Sequence, residues 1–275
     1  MKKVLPLLAA ALAVAALVVA LLVVQRAGRR PAGELSGTIE AREINVSTLL
    51  GARVLEVRCE EGQSVATGDT LVLLDPTDYR SALLAAEAAA SGIAARSELA
   101  LSTLRRLEAL RESGGISAGE LDRARAEANA AGDALAAANA QADVARKRVA
   151  DCTVLAPAAG NVSTVVFRAG ETAYPGVALL SIVQLEQVWL TVYVPEPLLG
   201  RVRLGDSADV RIDAWPDRTF RGRIAFISDK AEFTPRDIPT REERVNQVYR
   251  TKIELANPDG VLKPGMPADA VLTLR

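Results

Sequence analysis

Two short stretches of this chain read as copies of each other, and a segment of quite different character holds them apart. The first is Gly62-Gln63-Ser64-Val65-Ala66-Thr67-Gly68-Asp69-Thr70-Leu71, and the second is Gly170-Glu171-Thr172-Ala173-Tyr174-Pro175-Gly176-Val177-Ala178-Leu179. Gly62 and Gly68 are displaced onto Gly170 and Gly176 by the same 108 positions. Upstream, Gly51 with Val54 and Val57 answers Gly160 with Val162 and Val165, with a slip of one residue at the glycine. Glycines so placed serve tight turns that need positive φ, and alternating valines point into a small core. Glycine turns between strands are common, so one copy carries little information. Two copies at constant displacement are far more specific.

Residues 76–151 between the copies are alanine-rich, charged and almost free of β-branched side chains. The order is therefore β, long α insertion, β. Asp75-Pro76-Thr77-Asp78 makes a good helix start: Asp75 can cap, Pro76 suits the first turn, and Asp78 complements the helix dipole. The first helix is expected to run to about Glu112, where Ser113-Gly114-Gly115 stops it. Ser117-Ala118-Gly119-Glu120 matches a capping box flanked by Ile116 and Leu121 as a hydrophobic staple, and a second helix follows to about Ala150. Leu121, Ala128, Leu135, Ala142 and Val149 repeat every seven residues, interleaved with Ala124, Ala131, Ala138 and Ala145. The first helix offers Leu83, Ala90, Ser97 and Leu104, interleaved with Ala86, Ile93, Ala100 and Leu107. A sustained seven-residue repeat predicts an antiparallel coiled-coil hairpin whose alanine seam lets the axes approach closely. At about 1.5 Å per residue the hairpin projects on the order of 50 Å, the reach of a spacer.

The N-terminus opens Met1-Lys2-Lys3 and then runs uncharged and apolar for 21 residues, Val4 to Val24. As a helix that run spans the hydrocarbon core of about 30 Å. A cleaved signal peptide has an apolar core of about 7–15 residues and a small-residue cleavage site. The run is longer, lacks that site and has no cysteine nearby for lipidation, so an uncleaved anchor is expected. Basic residues on both flanks leave its orientation undecided.

Composition removes whole classes of chemistry. The chain has no histidine, which excludes Ser-His and Cys-His nucleophile pairs and every His-ligated zinc pattern. Lys+Arg 33 against Asp+Glu 34 gives no cationic footprint for nucleic acid. Two cysteines, Cys59 and Cys152, are too few for a disulfide framework or a thiolate metal cage. They could pair with each other in an oxidising compartment or remain as two buried thiols, and sequence does not supply the geometry a bridge requires. No enzyme activity and no cofactor are expected.

From Val188 onward short strands return, Val188–Val194, Ala208–Ile212, Phe220–Ile227, Val248–Leu255 and Ala268–Leu274, separated by Gly/Pro/Asp turns. This pattern reads as a sandwich or barrel. Trp189 and Trp215 read as core or turn-packing residues rather than a ligand platform.

The duplicated β motif resembles the biotinyl/lipoyl carrier fold, a flattened β-sandwich of two similar halves joined at a hairpin. Carriers display a modified lysine at that hairpin. Here the corresponding point follows Leu73-Leu74-Asp75, and the chain departs instead into the helical insertion; no lysine lies between Lys3 and Lys147. A carrier role therefore lacks its acceptor. A split lipoyl domain carrying a helical hairpin resembles the HlyD-type membrane fusion proteins, or periplasmic adaptors. The strings Leu204-Gly205-Asp206-Ser207-Ala208, Arg218-Thr219-Phe220-Arg221-Gly222, Asn257-Pro258-Asp259-Gly260 and Leu262-Lys263-Pro264-Gly265-Met266-Pro267 are similar to that family's β-barrel domain. The stretch Glu232 to Arg244 resembles the version found in adaptors paired with ABC exporters.

The resemblance implies an elongated multidomain α+β chain. Its parts are an anchor at 1–24, a linker at 25–35, a split lipoyl-like domain at 51–75 and 152–184, a hairpin at 76–151, and a β-barrel at 36–50 and 185–275. It implies an inner-membrane, single-pass protein with its bulk in the periplasm, in a ring of six. The partners implied are an ABC permease with its ATPase and a TolC-like outer-membrane channel. The additional membrane-proximal β domain of many such adaptors is not found before Arg275, so transporter contact is expected on the barrel, linker and anchor. Residues Arg106-Leu107-Glu108-Ala109-Leu110-Arg111-Glu112-Ser113-Gly114-Gly115-Ile116-Ser117 resemble the family's Arg-Leu-x-x-Leu-x6-Ser channel-docking motif at Arg106, Leu107, Leu110 and Ser117. Three of the four positions also have a plain structural role: Leu107 in the seam, Ser117 as cap, Arg106 as a solvated helix charge. A coiled-coil scaffold without transport function explains the anchor and hairpin but not the tip motif.

Overall fold

The computed structural model describes residues 34–112, 114–232 and 247–273. In chain order the elements are β1 (Glu34–Ser47), β2 (Ala52–Val57), β3 (Ser64–Val65), β4 (Thr70–Leu74), α1 (Thr77–Glu112) and α2 (Ala118–Asp151). Then follow β5 (Thr153–Leu155), β6 (Gly160–Val165), β7 (Thr172–Ala173), β8 (Ala178–Pro195), α3 (Glu196–Leu199), β9 (Ser207–Ile212), β10 (Trp215–Ile227), β11 (Val248–Ala256) and β12 (Pro267–Leu272). The chain divides into two compact units, one of residues up to Arg42 with Leu185–Arg275, the other Glu43–Gln184. The apolar run Val4–Val24 lies outside the described residues. Among those described, no helix is long and apolar enough to cross a membrane.

The first unit is a closed antiparallel barrel in the order β1-β12-β9-β10-β11-β8, shut by a β1–β8 pairing. Strand alternation fills it: Val188, Leu190, Val192 and Val194 on β8 are fully buried. They pack with Val210, Ile212, Phe220, Ile224, Ile253, Leu255 and Ala270. The same alternation turns Trp189 outward. It is half-buried rather than a core residue, its Nε1–H donates to Glu40 at 2.8 Å, and the Lys252 ammonium lies 4.4 Å from its ring centroid. Trp215 packs against the barrel core from the edge.

The second unit contains the duplication. Two sheets, β5-β4-β2-β7 and β1-β8-β6-β3, have the same internal order. A shift of 108 residues carries β2 onto β6, β3 onto β7 and the start of β4 onto the start of β8. The copies exchange strands: β2 pairs with β7 and β3 with β6, so each sheet is completed by the other half. There is no slip at the upstream glycine. Gly160 corresponds to Ala52, and it is glycine for its own reason, because a Cβ there would lie 2.6 Å from the Val183 carbonyl oxygen. Val54, Leu71, Leu74, Val162, Ala173, Leu179, Leu180 and Ile182 form the core between the sheets.

The disulfide considered from the sequence is absent. Cys59 and Cys152 are buried free thiols on opposite sides of β4. Cys59 follows β2 and its Sγ–H points to the Leu71 carbonyl, whereas the Cys152 carbonyl accepts the Leu74 N–H from the β5 side. Two strand spacings of about 4.8 Å separate the flanking chains, beyond the Cα distance of about 7 Å that a disulfide tolerates. Burial raises the pKa of both thiols, and at Cys152 the Asp151 and Asp75 carboxylates add to the rise.

Candidate docking site at the hairpin tip

The hairpin leaves the sandwich through a fixed joint. The Asp75 carboxylate accepts the Thr77 N–H at 3.0 Å and the Thr77 hydroxyl at 2.6 Å, bonds that lower its pKa. The Tyr79 hydroxyl donates to the Gly51 carbonyl at 3.0 Å while its ring packs on the sandwich core.

Along the helices Ala90, Ser97, Leu121, Ala128, Ala142 and Ala145 are buried. Leu83, Ile93, Leu104, Leu135 and Val149, the larger members of the sequence seam, are half-buried beside them. Two helices without a third partner cover an alanine between them more readily than a leucine, and Leu121 at the start of α2 is the one seam leucine that is buried. One flank carries cross-helix ion pairs: Arg146 donates to Glu87 at 2.8 Å, and Arg125 to Glu108 at 3.5 Å. The Glu87 carboxylate is the main cause of a raised Arg146 pKa, with Asp143 adding to it. Glu87 to Glu108 and Arg125 to Arg146 are each 21 residues, three sevens, so one helical register satisfies both pairs. The acidic and basic residues at those spacings were visible in the sequence; what they lacked was the alignment of one helix against the other.

At its far end α1 closes in a Schellman motif. Gly114 adopts φ +79, its N–H donates to the Arg111 carbonyl at 3.0 Å, and the Gly115 N–H reaches the Leu110 carbonyl at 2.9 Å. Two residues later Ser117 and Glu120 form a reciprocal capping box. The Ser117 hydroxyl oxygen accepts the Glu120 N–H at 3.2 Å, and the Glu120 carboxylate accepts the Ser117 N–H at 2.9 Å. That bond and the one from the Ser117 hydroxyl lower the Glu120 pKa. The Arg111 guanidinium spans the turn, donating to the Ile116 carbonyl at 2.8 Å.

The four motif residues fall on this end and face different ways. Arg106 is exposed and donates to the Thr103 hydroxyl at 3.2 Å. Leu110 is 49% exposed, one of several outward-facing leucines on α1 with Leu84, Leu99 and Leu101, and of these four it lies nearest the closed end. Leu107 is half-buried in the seam, and Ser117 is exposed but engaged as the α2 cap. The geometry thus sets Arg106 and Leu110 outward. Among the described residues no group of three or more acidic, cysteine or histidine side chains is placed to hold a metal.

Residues 187–274 match the CusB-like beta-barrel domain family. The Spr0693 membrane fusion protein of Streptococcus pneumoniae R6 superposes with a TM-score of 0.67 at 21% identity, over 89% of this chain and all of that one. The chain has the membrane fusion protein fold. A MacA-MexA chimeric protein containing the Pseudomonas aeruginosa MexA α-hairpin domain superposes with a TM-score of 0.65 at 17% identity, over 88% of this chain and 81% of the other. In sequence, a UPF0194 membrane protein of Citrobacter koseri is 28% identical, covering 85% of this chain and 86% of that protein. The fold expected from the split sandwich and the barrel strings is therefore met again in these solved structures.

Proposed function

We propose that this chain is the periplasmic adaptor, or membrane fusion, subunit of a tripartite export system. It bridges an inner-membrane ABC-type transporter, permease and ATPase, to a TolC-like outer-membrane channel. The anchor at Val4–Val24 ties it to the inner membrane, and a ring of six copies surrounds the conduit. The observation that carries this reading is a helical hairpin inserted between the halves of a split sandwich, with Arg106 and Leu110 facing outward at its closed end. Nothing in the sequence supplies a catalytic centre, and the carrier alternative lacks a lysine at the hairpin point. Preference for an ABC partner over other pump classes rests on the family resemblance of the Glu232 to Arg244 stretch.

The test is affinity purification of the full-length protein from gently solubilised membranes, with co-purifying proteins identified by mass spectrometry. An ABC permease and its ATPase are expected, together with a channel that is lost in Leu110→Asp while the helical content stays unchanged. A pump of another class would correct the partner and keep the adaptor role. Recovery of neither transporter nor channel would favour a membrane-anchored scaffold.

A further inference from the structure

We propose that Arg111, at a variable position of the docking motif, is the positioning residue that holds the tip ready to receive the channel. The inference rests on the docking role proposed for Leu110 and concerns how that residue is presented. Leu110 sits in the last turn of α1, and its carbonyl is anchored by the Gly115 N–H. Gly115 ends the Schellman motif, and Ile116 alone lies between it and the Ser117 cap. Gly115 has no side chain to hold it, and Gly114 needs its left-handed φ of +79. The contact from the Arg111 side chain to the Ile116 carbonyl crosses this weakest stretch, from the last turn of α1 to the residue preceding the α2 cap. The two helix ends are thereby joined to each other as well as capped separately.

Such a brace acts through the unbound state. A turn that samples many conformations must be ordered when a partner binds, and that cost is subtracted from affinity; a turn already in place avoids it. An unbraced tip is competent for only a fraction of the time, and apparent affinity falls by that fraction. Arg111 therefore acts on docking without touching the partner. A guanidinium suits the task because its planar fork gives up one N–H to the carbonyl and stays solvated through the others.

The experiment compares full-length wild type, Arg111→Ala, Arg111→Gln and Leu110→Asp in detergent. Amide hydrogen exchange across Gly114–Ser117 is measured first, and then affinity for a purified TolC-like channel. In Arg111→Ala the tip amides should exchange several-fold faster and the dissociation constant should rise about 3- to 10-fold. Arg111→Gln, which keeps an N–H donor and loses the charge, should recover part of both effects. Unchanged exchange in Arg111→Ala overturns the brace. Faster exchange with unaltered affinity overturns its role in docking. Weakened binding that Arg111→Gln does not restore, with exchange unchanged, makes Arg111 a direct charge contact and also overturns the proposal. If wild type and Leu110→Asp bind the channel equally, the docking reading itself fails, and the positioning role fails with it.

Discussion

The Gly62 N–H donates to the Val162 carbonyl at 2.8 Å, and 108 residues further on the Gly170 N–H donates to the Val54 carbonyl at the same distance. Each bond joins one copy of the motif to the other. The exchange is repeated by Val162 N–H to Gln63 and Val54 N–H to Glu171, both at 2.8 Å. It occurs again where the Gly68 N–H meets Ala156 and the Gly176 N–H meets Thr48. Neither copy owns a complete sheet. The 36-residue and 34-residue helices between them are thus an excursion that must return before the sandwich has a core.

That symmetry makes a quantitative prediction. Gly62 and Gly170 adopt φ of +87 and +94, and a Cβ at either would meet nothing within 4 Å. The cost of alanine is then backbone strain alone, about 1–2 kcal/mol at each site. Gly62→Ala and Gly170→Ala should lower the unfolding free energy by equal amounts in denaturant titrations. A cost at one site more than about twice that at the other would show that the copies are not mechanically equivalent.

Gly37 answers to a different constraint. A Cβ there would overlap the Thr191 carbonyl oxygen, on the seam where β1 closes the barrel against β8. Backbone cannot yield as a flexible side chain can, so Gly37→Ala should cost about 3 kcal/mol or more. Both tryptophans, Trp189 and Trp215, belong to the barrel unit, so their emission reports this unit directly. Early loss of the folded tryptophan signal on heating is expected, with the helical circular dichroism signal retained to higher temperature.

Asn257 explains one of the barrel strings that sequence could only match. It is 3% exposed, and its amide donates to the Leu185 and Leu262 carbonyls at 2.7 and 2.8 Å while its oxygen accepts the Leu262 N–H at 3.0 Å. Three backbone groups, the two of Leu262 fully buried, depend on one side chain. Asn257→Ala should destabilise the barrel by about 2–3 kcal/mol. Asn257→Asp, which cannot donate to the two carbonyls, should be no better at neutral pH. Tryptophan-monitored unfolding distinguishes these outcomes from a loop that tolerates replacement.

Much of this architecture is written in local sequence. The capping box at Ser117 and Glu120, the stop at Gly114 and the seven-residue seam depend on neighbours within a turn or two, so their signals survive in one dimension. Trp189, read as a core or turn-packing residue, instead faces outward from mid-strand, because one residue of strand phase decides inside from outside and Val188 and Leu190 already claim the interior. The cysteine question needed the sheet order, which places β4 between the two thiols. Arg111 escaped notice because an arginine in the last turn of a helix is usual, and only the path of the turn brings the Ile116 carbonyl to it.

The capping box should make the tip sensitive to acid. Hydrogen bonds from Ser117 to the ionised Glu120 carboxylate lower its pKa from the usual 4.5, so the folded tip binds the proton less readily than the unfolded chain. The contribution to stability is therefore fully present above about pH 4.5 and is lost as pH falls through the lower folded value. Asp75, lowered in the same direction by Thr77, imposes the same sense of change at the hairpin base, so a whole-protein signal would mix the two ends. The Ser117 amide resonance isolates the tip, because that N–H donates directly to Glu120. Its chemical shift should titrate with a midpoint below 4.5 in the wild type. In Glu120→Gln, which keeps an acceptor but cannot ionise, the resonance should stay nearly constant over the same range. A midpoint at or above the ordinary carboxylate value would mean that the box is not formed in solution, and that the cap rests on the Ser117 hydroxyl alone.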